Sequence, residues 1–231
     1  MKNVLVNGCS FTGTYGAWPF HLTDFNVTNI ACMGAGNTYI HDSTVIELAQ
    51  RHKLYDHVVI MWSGLTRVDL KVEDVSLFSN TQYTSTGMIV KQDTPERVLY
   101  SGDGLDYIEK NWVFGSGQNR CDQLDKLKLF DSIYKYQGIN QLIESSLIKM
   151  ISLQNILKQQ QIPYLFTYYQ DYNTDLKKFT HLYKMLDQEN IYNEQNIFTL
   201  AKNNNCYASD GIHPGLEIYK KWAEIVTNII N

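Results

Sequence analysis

His57-Val58-Val59-Ile60-Met61-Trp62 is an unbroken apolar run that stops at Ser63-Gly64. A strand that is apolar on both faces has to be covered on both faces, so this run predicts an inner strand of a parallel sheet with helices on either side. Toward the N-terminus, Lys2 to Asn7 alternates and then meets Gly8, which reads as a buried first strand ending in a sharp turn. Phe25-Asn26-Val27-Thr28-Asn29-Ile30-Ala31 reads as a second strand, and Gly34-Ala35-Gly36-Asn37 then opens a helix with Ile40, Thr44, Val45, Leu48 and Ala49 on one face. Toward the C-terminus, Ile139, Leu142, Ile143, Leu147, Met150, Ile151 and Leu157 recur at helical spacing. Pro163-Tyr164-Leu165-Phe166-Thr167-Tyr168-Tyr169 is the next strand, with Pro163 at its first position. Tyr219, Trp222, Ala223, Val226, Ile229 and Ile230 step by three and four along a closing helix. This alternation predicts a single α/β domain, a three-layer α/β/α sandwich around a central parallel sheet with right-handed crossovers.

One interval breaks the pattern. From 66 to 129 the sequence loses periodicity and becomes rich in Ser, Thr, Tyr, Asp and Gly, with turn signals at Ser101-Gly102-Asp103-Gly104 and Gly115-Ser116-Gly117. Compact domains rarely carry a structureless loop of this length, so the segment reads as an inserted hairpin or lid.

Composition narrows the function classes. A chain of 231 residues with 44% apolar and 19% charged side chains is long enough to bury a core without staples. Its formal net charge of -4 leaves no basic excess for counterion-release binding, which excludes nucleic acid and anionic membranes as main partners and favours a small neutral or polar ligand. The N-terminal apolar run is too short for a signal peptide or a membrane span, so an intracellular, cytoplasmic setting is expected. The four cysteines, Cys9, Cys32, Cys121 and Cys206, lie far apart with no CxxC pair, which reads as reduced thiols, two disulfides being the alternative. The six histidines show no repeated ligand spacing, so neither a metal nor a cofactor is expected. Oligomeric state has no signature here.

In a parallel sheet, ligands gather outside the carboxyl ends of the strands. Three segments fall there on this reading, Gly8 to Thr12, Gly34 to Asn37 and Ser63 to Arg67, and a fourth, Ser209-Asp210-Gly211-Ile212-His213-Pro214-Gly215, precedes the closing helix. A serine hydroxyl is a weak nucleophile until a base takes its proton, and a histidine can be that base near neutral pH. Ser10 and His213 are the candidates, with Asp210 three residues before His213 and able to hold the imidazole in one tautomer. Singly, each has a plainer reading: Ser10 as a helix cap, Asp210-Gly211 as a turn, His213 as the extended residue before a proline. The joint pattern at the two ends of the chain, with glycines at the intervening strand ends, favours chemistry.

The short blocks resemble those of the SGNH or GDSL hydrolases, lipase-like and esterase-like enzymes with a flavodoxin-like sheet. Gly8-Cys9-Ser10-Phe11-Thr12 resembles the family's first block, Gly-Asp-Ser-x-Thr, with Cys9 in place of the usual Asp. Asn29-Ile30-Ala31-Cys32-Met33-Gly34 resembles the second, and Asp210-Gly211-Ile212-His213-Pro214 is similar to the last, Asp-x-x-His-Pro. The resemblance implies a serine ester hydrolase working through an acyl-enzyme, a carbohydrate O-deacetylase or small-acyl esterase acting on a small-molecule or glycan ester. It implies Ser10 as nucleophile, His213 as base, Asp210 as its orienter, and the N–H groups of Ser10 and Gly34 as oxyanion donors.

The third block departs from the pattern. The family places Gly-x-Asn-Asp after the central strand and uses the Asn amide as an oxyanion donor, whereas this chain has Met61-Trp62-Ser63-Gly64-Leu65-Thr66-Arg67. Losing one preorganised donor costs about 3 kcal/mol unless another group replaces it. The Ser63 hydroxyl, Thr66 hydroxyl, Asn37 amide or Arg67 could supply it; Ser63, directly after the strand, ranks first and Asn37, opening the neighbouring helix, second, and Asn37, Thr66 and Arg67 are also candidates for holding substrate.

Two other functions fit parts of the sequence. Ser10-Phe11-Thr12-Gly13-Thr14 resembles a flavodoxin phosphate loop, implying an FMN-binding electron carrier, but Tyr15 stands where that loop wants Thr and such a carrier has no use for Asp210 and His213. The missing third-block Asn also fits a binding or virion-associated module that keeps the hydrolase fold without its activity.

Overall fold

A computed structural model of the chain describes residues 1–71, 112–115 and 124–231. In chain order the strands are β1 (Lys2–Asn7), β2 (Phe25–Asn29), β3 (His57–Trp62), β4 (Val68–Lys71), β5 (Trp112–Gly115), β6 (Tyr164–Tyr168) and β7 (Ile191–Tyr192). The helices are α1 (Ser10–Gly13), α2 (Asn37–Arg51), α3 (Leu124–Gln159), α4 (Asn173–Lys177), α5 (Thr180–Tyr183), α6 (Ile197–Asn203) and α7 (Leu216–Ile230).

The apolar run at 57–62 is β3, and it lies in the middle of a five-stranded sheet ordered β2-β1-β3-β6-β7, in which every pairing is parallel. Its alternate residues divide between two cores. Val58, Ile60 and Trp62 join Leu5 and Phe166 beneath α2 and α3, while Val59 and Met61 join Val4, Val6 and Leu165 beneath α6 and α7. This is the α/β/α sandwich that an apolar-on-both-faces strand requires. The strand order reverses between β1 and β3, and in such sheets the crevice outside the carboxyl ends at that reversal is where ligands bind.

The elements follow the expected order, with differences that have local causes. β2 ends at Asn29 rather than Ala31, because the Asn29 carboxamide oxygen accepts the Ala31 N–H at 3.0 Å and turns the chain. α2 begins at Asn37 rather than Gly34, which has a positive φ of 84° in the turn before it. Pro163 sits just before β6, its carbonyl accepting the Val58 N–H at 3.0 Å, so it pairs without needing a donor. The helical segment around 139–157 extends to Leu124–Gln159 and is interrupted at Gly138, whose φ of 73° and ψ of 155° are not helical. Within the 66–129 interval, β4 and β5 pair antiparallel as a separate two-stranded ribbon. Residues 72–111 and 116–123 of that interval, with the turn signals at 101–104 and 116–117 and Cys121, lie outside the described residues. Cys9 and Cys206 are free thiols. No helix among the described residues is long and apolar enough to cross a membrane.

A half-buried and a buried group make stability depend on pH with opposite sign. Burial lowers the His57 imidazole to about 4, helped by the charge of Lys2. The unfolded chain therefore takes up this proton near pH 6.5 and the native one only near 4, so stability from His57 rises with pH across that window. Burial pushes the Asp69 carboxyl up to about 6, although the N–H groups of Tyr39 and Gly36 oppose the rise. Here the native state holds the extra proton, so stability from Asp69 falls as pH climbs from about 4 to about 6. Urea unfolding followed from about pH 4 to 7 is expected to show His57→Gln tilting the profile downward with rising pH and Asp69→Asn tilting it upward, each relative to wild type.

Candidate active site

The chain leaves β1 through Gly8, where a Cβ would stand 2.4 Å from the Thr12 Oγ1 and 3.0 Å from the Met61 carbonyl, so only glycine lets α1 start this close to the sheet. Cys9 is the N-cap of α1 without a side-chain cap bond, and its carbonyl accepts from Thr12 N at 2.9 Å and Gly13 N at 2.8 Å. Ser10 is the first residue of α1, so its hydroxyl is not spent as a cap. Behind it, the buried Asn7 accepts the Gly8 N–H at 2.8 Å and donates to Ile40 O, Ser43 Oγ and Thr44 Oγ1 at 3.0, 2.8 and 2.9 Å. This carboxamide joins the end of β1 to α2, and sequence reasoning had seen it only as the last residue of a strand.

The segment before α7 is held by its own backbone. Gly215 N donates to Cys206 O at 3.0 Å, Ala208 N to His213 O at 2.8 Å, and Gly211 N to Ala208 O at 3.0 Å, with Gly211 at a φ of 67°. Asp210 fills this turn: its Oδ1 accepts from Ile212 N at 2.8 Å and His213 N at 2.9 Å, and its Oδ2 lies 2.5 Å from His213 Nδ1. The His213 hydrogen bond, against the opposing effect of burial and with help from the two backbone N–H groups, holds the Asp210 carboxyl down at about 2. On the other side of the ring, His213 Nε2 is 2.9 Å from Ser10 Oγ, across 203 positions of sequence. The Phe11 ring packs on the imidazole at 5.1 Å and on Tyr169 at 4.7 Å, giving the site an aromatic wall.

The other sheet-edge segments are tied to this one. Cys32 N donates to Gly8 O at 3.2 Å and Asn29 Nδ2 to Thr12 O at 3.0 Å, which brings the turn containing Gly34 against α1. Asn37 Oδ1 accepts from Ser63 N at 2.8 Å, and its Nδ2 donates to Ser146 Oγ at 3.1 Å and more weakly to Ser63 O at 3.4 Å. Asn37 thus links the segments after β2 and β3, and its amide is committed inside the protein. Ser63 is fully buried, and its hydroxyl has no partner among the described residues. Thr66 makes no hydrogen bond among those residues, while Arg67 donates from Nη1 to Ala35 O at 3.1 Å and lies over the Tyr169 ring at 5.9 Å. Asp69 of β4, which carried no sequence signal, accepts the Gly36 and Tyr39 N–H groups at 2.7 and 2.8 Å and so clamps the start of α2. The loop hydroxyls that an FMN phosphate would need are engaged elsewhere: Thr12 accepts from Trp18 Nε1 at 3.3 Å and Thr14 donates to Ser10 O at 2.5 Å.

Three such residues in contact are not sufficient for chemistry, and the protein supplies its own contrast. His41 lies 2.7 Å from Asp42 through Nδ1 and 3.1 Å from Ser152 through Nε2. His41 and Ser152 sit inside α2 and α3, where backbone N–H groups are bound to carbonyls one turn back. No backbone donor is left there to meet a developing oxyanion, and the contact ties two helices together. At Ser10, by contrast, the first turn of a helix leaves its leading N–H groups outside the intrahelical ladder.

The sequence matches no family model and no curated protein. Among solved structures, it is similar to the psychrotrophic esterase EstA from Pseudoalteromonas sp., with 10% identity and a TM-score of 0.51 over 100% of this chain and 97% of that one. It also aligns with Axe2, an acetylxylan esterase from Geobacillus stearothermophilus, at 10% identity and a TM-score of 0.48 over 100% and 94% of the two chains. The acetyl xylan esterase AlAXEase aligns at 10% identity and a TM-score of 0.47 over 99% and 100%. The chain therefore shares its α/β/α fold with EstA, at low sequence identity.

Proposed function

We propose that this protein is a serine ester hydrolase, and the observation that carries the reading is the 2.9 Å approach of Ser10 Oγ to His213 Nε2. Ser10 attacks the ester carbonyl as His213 takes its proton at Nε2, and the ionised Asp210 stabilises the imidazolium from Nδ1. The N–H groups of Ser10 and Gly34 meet the oxyanion of the tetrahedral intermediate. Collapse expels the alcohol, which receives the proton from His213, and leaves an acyl group on Ser10 Oγ. Water activated by the same imidazole then releases the acid and restores the serine. The fold shared with EstA supports this reading.

The substrate we infer is an acyl ester of a neutral carbohydrate. At the carboxyl ends of β6 and β7, on the same edge of the sheet as Ser10, lies a cavity of about 300 Å³ lined by Gln170, Asn173, Asn193, Gln195 and Asn203. Carboxamides present a donor and an acceptor together, which suits sugar hydroxyls, and the carboxylates of Asp171 and Glu194 in the same lining disfavour an acidic sugar. A fluorophosphonate probe is expected to label wild type and Ser152→Ala equally and Ser10→Ala not at all, with p-nitrophenyl acetate turnover following the same order. Wild-type protein that neither labels nor turns over the ester above the Ser10→Ala level sinks the proposal.

A further inference from the structure

An esterase with this third block lacks one oxyanion donor, and the structure holds a side chain placed to replace it. We propose that the Arg67 guanidinium supplies the third hydrogen bond to the substrate carbonyl oxygen, in place of the amide that Ser63-Gly64-Leu65-Thr66 does not contain. This rests on the hydrolase reading and goes beyond it in assigning a further catalytic residue.

The backbone brings Arg67 back to the end of β3. Its N–H donates to Gly64 O at 3.0 Å, closing a tight turn, and its side chain then runs along Gly64, where an added Cβ would meet Arg67 Cγ, Nε and Cδ at 3.3 to 3.6 Å. From there the guanidinium reaches the neighbour of one expected backbone donor, Gly34. Nη1 binds the carbonyl of Ala35, the residue after Gly34, at 3.1 Å. The Tyr169 ring beneath it at 5.9 Å packs on Phe11, which packs on His213, so one row of rings runs from Arg67 to the imidazole.

Arg67 also has donors to spare. A guanidinium carries five N–H groups, and among the described residues only the one to Ala35 O has a protein acceptor. Asp69, the one carboxylate whose charge acts on Arg67, makes no ion pair with it among the described residues and accepts one N–H on each oxygen, from Gly36 and Tyr39. The competing groups are less suitable. The Asn37 amide is consumed by Ser63 and Ser146, and the Ser63 hydroxyl is enclosed where a substrate oxygen cannot reach it without rearrangement. A fixed cation whose aromatic neighbour orients it acts on a developing oxyanion more strongly than a neutral amide does.

The test is steady-state hydrolysis of p-nitrophenyl acetate, which is uncharged, by Arg67→Met and Arg67→Lys, with circular dichroism to verify folding. For Arg67→Met, kcat is expected to fall by about 10²- to 10³-fold with KM changed by less than about threefold, the pattern of an interaction made only in the transition state. Added guanidinium ion at millimolar concentration should restore part of kcat in Arg67→Met and none in wild type. Arg67→Lys, which keeps the charge but not the fork, should fall between. If Arg67→Met does not fold, Arg67→Gln carries the same comparison. Retention of kcat within about threefold overturns the inference, as does a loss confined to KM, which would make Arg67 a ground-state binding group. Either result in an active wild type leaves Ser10 chemistry standing, whereas an inactive, unlabelled wild type removes the hydrolase reading itself.

Discussion

His213→Ala is expected to lower kcat for p-nitrophenyl acetate by about 10⁴-fold or more and to slow fluorophosphonate labelling of Ser10 by a similar factor. The magnitude follows from what the imidazole does at this distance. At 2.9 Å from Nε2, Ser10 Oγ transfers its proton as it attacks; without that acceptor the hydroxyl must react in its neutral, weakly nucleophilic form. No second base replaces it, because the Asp210 carboxylate faces the other nitrogen of the ring and its remaining oxygen is bound to backbone N–H groups. The loss should be chemical and not structural. The hairpin that carries His213 is closed by Ala208 N to His213 O and Gly215 N to Cys206 O, neither of which involves the side chain. Thermal unfolding of the variant should therefore stay within a few degrees of wild type. A fall in kcat of less than about tenfold would mean that the contact with Ser10 is a resting hydrogen bond and nothing more.

The elements that sequence alone made legible were those whose chemistry acts through side-chain type or through long periodicity. β3 could be read because its packing on both faces leaves no room for a polar residue, and α7 because Trp222, Ala223 and Val226 repeat along one face. Ser10, Asp210 and His213 stood out as candidates because few residue types can serve as nucleophile, orienter and base, and the fold brings the three into contact. What escaped notice acts through backbone groups, which leave no mark in the sequence. Asn7 holds the Gly8 N–H, Asp69 caps α2 at Gly36 and Tyr39, and Asn37 pairs with Ser63. In each case the partner is a main-chain N–H brought close by tertiary structure. The short helices α4 and α5, of five and four residues, hold too few turns for a 3.6-residue period to register. The helical spacing read from sequence begins at Ile139, just after Gly138, whose positive φ marks the break from the helical turns before it.

Asp210→Asn is expected to cut kcat by about 10³- to 10⁴-fold while leaving the turn intact, a separation that the two carboxylate oxygens make possible. Oδ1 serves structure by accepting Ile212 N and His213 N, and an asparagine carbonyl oxygen can do the same. In the proposed mechanism Oδ2 serves chemistry by accepting a hydrogen bond from His213 Nδ1–H, which leaves Nε2 bare to receive the serine proton. An asparagine presents an NH₂ at that position, so the favoured tautomer places the hydrogen on Nε2, pointing at Ser10, and the base is blocked in its ground state. Asp210→Ala removes the turn acceptor as well and should lose stability in addition to rate. The pH dependence separates the two roles further. Because its folded value lies near 2, below its ordinary 3.8, Asp210 stabilises the native chain fully above about pH 4 and loses that effect as pH falls toward 2. Across the neutral range it therefore stays an anion, and the kcat deficit of Asp210→Asn should be constant there. A deficit that disappeared as pH rose toward 8 would show that His213 finds its working tautomer without Asp210, and that the carboxylate only shapes the turn.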